Sequence, residues 1–421
     1  MTQHQNQALS ALTSLILIVQ PAFGLTDEPA IVQTGDSDES RPVNMTPKPL
    51  SENAKKGLRW LLQHQLANGG WGQGEESPNM GGGAVTLKDV PNVAETSAAT
   101  LALLRSGSSP GQGDFAWNIR RALDYLCGEI EKADGASLFI TDLRGTRLQS
   151  KLGTYIDTFL AALVLAEVKD LMPDEAGRKR IIAALDKVMD KIEKNQRPDG
   201  TWANKGWAPA LAQAMGSKAI NKAKQAGVAV SSKVLVQAEG YARSQFDAST
   251  GKFRGAGSAN IELYSAASTL DTLREADATN ALGERELRDR AQNAKTPEEK
   301  QAAQQELKRI AQTRADLRSA EQAVIKRLDD KRFIAGFGSN GGEEFLSYLN
   351  IGETLVVKGG PEWEKWDKSM TGNLNQIQNQ DGSWTGHHCV TGRTFCTSTV
   401  LLVLMVDRAP GPMVPKMKRG Y

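Results

Sequence analysis

Residues 56–71 read KGLRWLLQHQLANGGW, a helical stretch that ends in a glycine-rich turn and presents a tryptophan. The turn half of this element returns twice with the same spacing, Gln-x-x-x-Gly-x-Trp, at residues 196–202 and 378–384. Such self-similarity is typical of repeat architectures, in which each unit buries its apolar face against its neighbours. We therefore expect a fold assembled from copies of one helical unit.

The other copies of the unit are less complete. The second keeps its helical half at residues 121–126 and turns at 134–135, the fourth covers 238–253, and a weak fifth lies around 336–338. Each copy is followed by a second stretch rich in leucine and small residues. We expect these stretches to be closely packed helices, at residues 95–104, 155–165, 207–215, 263–273, 345–355 and 395–405. Six helix pairs predict an all-α fold, an α/α toroid over residues 51–407.

The turn residues have a physical reason to repeat. An Asn-Gly or Asp-Gly pair can end a helix with a left-handed residue at little steric cost. The tryptophan that follows can lie back over the helix end, and the glutamine can hydrogen-bond to backbone groups that the helix end leaves without partners. We therefore expect structural roles, fastening one repeat to the next, for Gln65, Trp71, Gln196, Trp202, Gln378 and Trp384.

The first copy matches one known repeat throughout. A basic residue, a glycine, an aromatic residue and a leucine lead to Gln65, Gly69 and Trp71. The chain thus resembles the prenyltransferase and squalene-oxidase repeat superfamily, which includes squalene (terpenoid) cyclases and protein prenyltransferases. The resemblance covers residues 51–407 apart from one segment and implies inner helices around a central hollow. It implies little about activity, because the repeat is a structural device.

The catalytic motifs of that superfamily have no counterpart in this sequence. Triterpene cyclases use an Asp-x-Asp-Asp motif, whereas Asp329 and Asp330 precede a lysine and an arginine and are interpreted as surface charge. Protein prenyltransferases hold zinc with Asp, Cys and His, but the Asp-x-Cys pair is absent here. The adjacent His387, His388 and Cys389 lack the usual spacing of three ligands. We therefore predict no metal and no cofactor.

Residues at the start of the inner helices, and in the loops before them, are expected to face the central hollow. The ligand-binding candidates at these positions are Glu95, Tyr155, Asp157, Trp207, Glu262, Tyr264, Glu344, Tyr348, His387 and His388. Each alone is typical of a helix cap or a core residue. Together they would form a mixed aromatic and acidic pocket, in which no general acid or base is assigned.

The chain has three cysteines. Cys389 and Cys396 lie seven positions apart around Gly392, in a segment that could fold back on itself. We therefore predict a candidate disulfide between them. Cys127 lies in a helical pattern and is expected to be a buried free thiol.

Residues 1–24 are predicted to be a signal peptide. Residues 8–19 form an apolar run of twelve that is too short to cross a bilayer, and Ala22 and Gly24 are small residues suited to cleavage before Leu25. No lysine or arginine precedes the run, so a buried N-terminal helix is the alternative interpretation. The prediction is a secreted or periplasmic protein.

The remaining termini are predicted to be a polar linker at residues 25–50 and a C-terminal tail at residues 408–421. No other stretch is long enough to cross a membrane. The net charge of +2 gives no reason to expect nucleic acid as a partner.

Residues 274–330 break the period and are rich in Ala, Gln, Glu, Lys and Arg. Thr296 and Pro297 form a typical helix start, which predicts a helix to about Asp330. With residues 272–293 this helix predicts a helical hairpin inserted into the toroid. A solvated charged hairpin and an arm that docks another protein are the two interpretations.

The function that these observations favour is that of an exported binding or scaffold module, which holds a protein partner through the hairpin or the concave face. Two alternatives stay open. One is a diverged terpene-cyclase-like or prenyltransferase-like enzyme, and the other is a polysaccharide-active enzyme with an α/α toroid.

Overall fold

A computed structural model describes residues 46–77, 87–338 and 340–410. Over these residues the chain has fourteen α-helices and one small antiparallel sheet. The sheet consists of β1 (Phe246–Asp247) and β2 (Lys252–Phe253), with Phe246 opposite Phe253. The predicted all-α fold is confirmed.

Some of the predicted segments lie outside the described residues. These are the signal peptide at 1–24, residues 25–45 of the linker and residues 411–421 of the tail. Every described residue belongs to one compact unit, Pro42–Tyr421. In the described part of the chain, no helix combines the length and the apolar character needed to span a bilayer.

Six helices occupy the positions predicted for inner helices. They are α2 (Val93–Arg105), α5 (Ile156–Val168), α7 (Pro209–Gln225), α9 (Glu262–Asn293), α12 (Gly342–Lys358) and α14 (Arg393–Leu404). Every residue of α2 is buried, and in α5 all residues except Glu167 are buried. A helix that is buried on all sides belongs to the interior of a protein.

The six helices contact one another in a closed cycle. In this cycle α2 packs against α5, α5 against α7, α7 against α9, α9 against α12, α12 against α14, and α14 against α2. We call these six helices the ring. The cyclic order agrees with the toroid that six repeats predict.

Six further helices pack around the ring. They are α1 (Glu52–Gln63), α3 (Ala116–Lys132), α6 (Glu175–Lys194), α8 (Ser232–Ser244), α10 (Pro297–Ile325) and α13 (Gly360–Gln376). Each packs on the ring helix of the preceding repeat: α3 on α2, α6 on α5, α8 on α7, α10 on α9, α13 on α12, and α1 on α14. The two remaining helices, α4 (Arg147–Lys151) and α11 (Lys331–Ile334), are short.

The hairpin at 274–330 differs from the predicted insertion. Helix α9 continues from the ring into the hairpin as one helix of 32 residues. Helix α10 is the outer helix of the fifth pair, so the hairpin extends two regular helices and adds none. As predicted, α10 starts at Pro297, and the Thr296 hydroxyl accepts a hydrogen bond from the Glu299 N–H at 3.2 Å. It ends at Ile325, earlier than predicted.

The middle of the hairpin packs on its own chain. Glu239 of α8 accepts hydrogen bonds from Arg309 and Thr313 of α10. Nearby, Arg243 Nε donates to Asp316 Oδ2 at 2.7 Å. Only the tip of the hairpin, around residues 285–300, is mostly exposed.

The three complete turns form the same indole hydrogen bond. The indole N–H donates to the carbonyl oxygen ten residues earlier: Trp71 to Leu61 at 2.8 Å, Trp202 to Ile192 at 2.8 Å, and Trp384 to Leu374 at 2.7 Å. Each tryptophan therefore lies back over its own outer helix, as the sequence predicts.

The glutamine of each turn binds the next outer helix along the circle. The side-chain amide donates to a backbone carbonyl there: Gln65 to Asn118 at 2.9 Å, Gln196 to Val234 at 3.0 Å, and Gln378 to Asn53 at 2.9 Å. The last bond connects the sixth repeat to the first and so closes the circle. These hydrogen bonds support the fastening role, which stays a prediction.

The glycine of each turn is held to a left-handed conformation at a close contact. Gly200 has a φ of 82°, and a Cβ there would lie 2.0 Å from the carbonyl oxygen of Gln237. Gly382 has a φ of 94°, and a Cβ there would lie 2.8 Å from the carbonyl oxygen of Lys56. Any larger residue would therefore separate two repeats or strain the backbone.

We expect Gly200→Ala to lower the free energy of unfolding by about 2 kcal/mol or more, because the methyl group meets backbone of the next repeat. Gly240→Ala is the matched control, since Gly240 is exposed in the middle of α8 and a Cβ there meets nothing within 4 Å. The control should gain up to about 1 kcal/mol. Chemical denaturation measures both, and equal effects would contradict the role of the turn.

Candidate functional site

A cavity of about 130 Å³ lies inside the ring. Every ring helix contributes to its wall, through residues that include Leu101, Leu163, Met215, Arg274, Leu349 and Leu402. Most of these side chains are apolar. A cavity of this size resembles the engineered apolar cavity of about 150 Å³ that binds benzene or xenon.

Charged side chains form one part of the cavity wall. Lys218 of α7 forms ion pairs with Asp271 of α9, at 3.1 Å, and with Glu353 of α12. Arg274 Nη2 donates to Asp271 Oδ1 at 2.6 Å and to Glu353 Oε2 at 3.0 Å. On α2, Arg105 Nη1 donates to Glu167 at 2.6 Å. We call Lys218, Asp271, Arg274 and Glu353 the ion network.

Opposite charges keep Glu353 and Lys218 ionised although both are buried, whereas burial raises the pKa of Asp271 in spite of its two cationic partners. Burial alone would raise the pKa of Glu353, but the positive charges of Lys218 and Arg274 lower it to about 2. Burial alone would also lower the pKa of Lys218, but Asp271 and Glu353 raise it above its ordinary value. Three ring helices are therefore held together by charge pairs inside the protein.

Asp271, Glu275 and Glu353 lie close enough together to suggest a cation site. Lysine and arginine side chains already neutralise these carboxylates, however. Lys218 and Arg274 contact Asp271 and Glu353, and Lys222 lies 3.4 Å from Glu275. These three carboxylates therefore do not offer a metal site.

We expect Glu353→Gln to destabilise the protein at neutral pH, because Lys218 and Arg274 lose a charged partner. The folded-state pKa of about 2 lies below the ordinary 4.5, so the stabilisation is present above about pH 4.5 and is lost as the pH falls towards 2. The difference in melting temperature between wild type and variant should therefore be largest at pH 7 and shrink at pH 3. Calorimetry at both pH values measures it. Glu298→Gln, at an exposed site, is the control. If the difference in melting temperature between wild type and Glu353→Gln did not depend on pH, the stabilising role of the ion network would be contradicted.

None of the ten sequence candidates is among the residues that line the cavity. They lie at or before the starts of the ring helices, whereas the cavity lies further along these helices. Close to the starts of their helices, Phe159, Tyr264 and Phe345 are large and fully buried, so protein atoms fill that space. As ligand-binding residues, the ten candidates stay predictions.

Four of the candidates meet in a second cluster. The Tyr264 hydroxyl donates to Glu344 Oε1, and His388 Nε2 lies 3.1 Å from Glu344 Oε2. The indole of Trp207 packs edge-on against Tyr264, with ring centroids 5.9 Å apart. Phe337 lies between Trp207 and His388, at 5.2 and 5.1 Å from their ring centroids. Tyr348 lies nearby and donates to the Ile334 carbonyl oxygen at 2.6 Å.

Glu343 belongs to the same cluster, although the sequence did not identify it. Its Oε2 accepts a hydrogen bond from the Val390 N–H at 3.2 Å. Burial, together with the negative charge of Glu344, raises the pKa of Glu343 to about 7. The cluster thus holds two adjacent carboxylates. Both oxygens of Glu344 accept hydrogen bonds, whereas in the described part of the chain only one oxygen of Glu343 does.

Glu95 and Asp157 form a separate buried acidic pair. Asp157 accepts hydrogen bonds from the Ala94 N–H at 3.1 Å and from Gln149 Nε2 at 2.9 Å. Burial and the charge of Asp157 raise the pKa of Glu95 well above its ordinary range. Asp157 therefore acts as a bridge between the N-terminus of α2 and the segment before α5.

The three remaining candidates lie apart from these clusters. Tyr155 packs on Phe139, with ring centroids 4.9 Å apart. Glu262 is exposed and pairs with Arg327 at 2.6 Å. His387 is exposed, and its N–H donates to the Asn340 carbonyl oxygen at 2.8 Å.

The disulfide proposed from the sequence is not formed. Cys389 and Cys396 are both free and buried, as is Cys127. Cys396 lies in the first turn of α14, where its Sγ donates to the Val390 carbonyl oxygen at 3.5 Å. The thiol is therefore directed to backbone, and burial raises its pKa well above the ordinary range.

Sequence reasoning missed the ion network because its members lie far apart in the sequence, on three consecutive ring helices. Arg274 and Glu275 fall in the segment interpreted as a solvated hairpin, yet they lie in the buried part of α9. Lys218 interrupts a run of small residues in α7, which is the one signal that could have marked it. No protein-family model and no curated protein matches the chain.

Proposed function

We propose that this chain is a binding module that takes a small amphiphilic molecule into the cavity inside its ring. The observation that carries the proposal is the composition of the cavity wall. Leucine and methionine side chains from five ring helices would hold an apolar group. Four charged residues would contact a polar one: Arg105, Lys218, Arg274 and Glu353.

The carboxylates in the cavity wall favour binding over catalysis. Glu167 and Glu353 each pair with an arginine or lysine, and Glu275 lies 3.4 Å from Lys222. A cyclase that protonates an alkene needs a carboxylic acid that stays protonated in the cavity. Charges of the opposite sign keep Glu353 ionised, which weighs against that chemistry.

The charges also restrict the polar end of the ligand. Each acid of the ion network is paired with a base, so a charged head group would have to break an existing pair. A neutral head group, such as a hydroxyl, could bind between the pairs without that cost. We therefore propose a ligand with one neutral polar head and an apolar body of about six to eight carbon atoms.

We also propose that the chain belongs to the prenyltransferase and squalene-oxidase repeat superfamily. The cyclic order of the ring helices and the shared hydrogen bonds of Trp71, Trp202 and Trp384 support an α/α toroid of the squalene-cyclase type. Export rests on residues 8–19 alone, which lie outside the described residues. A protein partner that bound the hairpin would have to use its exposed tip, because its middle is bound to α8, and the concave face stays the other candidate surface.

We expect the wild-type chain to bind 1-hexanol more tightly than hexanoate or hexylammonium. Ala166 lines the cavity, so Ala166→Phe should fill it and weaken hexanol binding at least about tenfold, which is about 1.4 kcal/mol. Ala281→Phe is the control, because Ala281 is exposed on α9. Titration calorimetry measures the affinities, and thermal unfolding verifies that both variants fold. Equal affinities of the folded variants, or no binding by the wild type, would contradict the proposal.

A further inference from the structure

The start of α12 and the loop before α14 bring a set of nitrogen and oxygen ligands together outside the cavity. One side-chain atom each from Glu343, Glu344 and His388 lies within 4.8 Å of the other two, and all three residues are buried. Ligands at about 2.1 Å from one ion must lie roughly 3 to 4 Å apart. Small side-chain movements would therefore let the three atoms coordinate one ion.

Glu343 has an oxygen that nothing in the described chain satisfies. Its Oε1 is buried and has no hydrogen-bond partner among the described residues, and the whole side chain is 0% exposed. Leaving a buried carboxylate oxygen without a partner is costly, more so beside a second carboxylate. Among the described residues, no lysine or arginine forms an ion pair with either carboxylate, in contrast to the ion network; the charge of Arg147 acts on Glu343, but Arg147 itself pairs with Glu76. A cation that Glu343 binds through both oxygens would satisfy the free one.

The neighbouring carboxylate is held in place from several directions. Glu344 Oε1 accepts hydrogen bonds from the Tyr264 hydroxyl and, at 3.0 Å, from the Phe337 N–H. Glu344 Oε2 accepts a hydrogen bond from the Gly341 N–H at 2.8 Å. Contacts of this kind orient the ligands in known metal sites and fix which oxygen faces the ion.

Glycines allow the two segments of the site to approach closely. A Cβ at Gly341 would lie 2.8 Å from the His388 carbonyl oxygen and 3.0 Å from its Cε1. A Cβ at Gly386 would lie 2.2 Å from the Val390 carbonyl oxygen. The start of α12 and the loop before α14 can therefore come together only because these positions have no side chain.

We propose that Glu343, Glu344 and His388 form a binding site for a divalent transition-metal ion, for which Zn²⁺ is the probe. Two carboxylates and an imidazole are ligands that Zn²⁺ accepts in proteins. The ion would fasten the N-terminus of α12 to the loop before α14. None of the three ligands lines the cavity, so this inference goes beyond the proposed function and can fail independently of it.

The test is a Zn²⁺ titration of the metal-free full-length chain in competition with a chromophoric chelator, together with thermal unfolding. We expect about one Zn²⁺ per chain and a higher melting temperature when it is bound. Glu343→Gln and His388→Gln should each weaken Zn²⁺ binding at least about tenfold. His387→Gln and Cys389→Ser are the matched controls and should bind as the wild type does.

The stability of the metal-free variants separates loss of the site from loss of the fold. Glu343→Gln removes an unsatisfied buried charge, so the metal-free variant should be at least as stable as the metal-free wild type. Three outcomes would overturn the proposal: no Zn²⁺ binding by the wild type, unchanged binding in both ligand variants, or loss of binding in either control.

Discussion

The structure depends on one hydrogen-bonded turn that is used three times. In each copy a glutamine amide reaches a carbonyl of the next outer helix, while a tryptophan lies back over its own. The third copy joins Gln378 to Asn53 across 325 positions of sequence and brings the last repeat against the first. Because this contact closes the circle, the ring helices enclose a space instead of forming an open stack.

The closed ring constrains which charges its interior can hold. Helices that are buried on nearly all sides cannot leave a charge without a partner. Around the cavity, Lys218 and Arg274 neutralise the acids, so this part of the interior is suited to hold a neutral amphiphile. At the start of α12, no lysine or arginine of the described residues forms an ion pair with Glu343, so that site is suited to receive a cation. Both sites therefore follow from the requirement that a buried charge has a partner. Around the cavity, side chains of the chain supply the opposite charge, and at the start of α12 a bound cation would supply it.

The sequence predicted the repeated elements well because their information is local. The Gln-x-x-x-Gly-x-Trp spacing and the small-residue stretches located the starts of all six ring helices to within three residues, but α7 and α9 continue well beyond their predicted ends. Contacts between repeats were harder to predict. Spacing suggested a disulfide between Cys389 and Cys396, but the backbone directs Cys396 elsewhere. Glu343 of α12 meets His388 in the loop before α14, and Lys218 of α7 meets Glu353 of α12. Both contacts join residues far apart in the sequence, so no local pattern indicates them.

The most direct test of the central claim, that the closed ring encloses a ligand cavity, is a crystal structure determined under xenon pressure. Xenon enters apolar cavities that exclude ordered water. We expect xenon density between Leu163 of α5 and Leu349 of α12, with Gln378 bound to the Asn53 carbonyl. A centre filled by side chains, or a ring that is open between the sixth and first repeats, would contradict it.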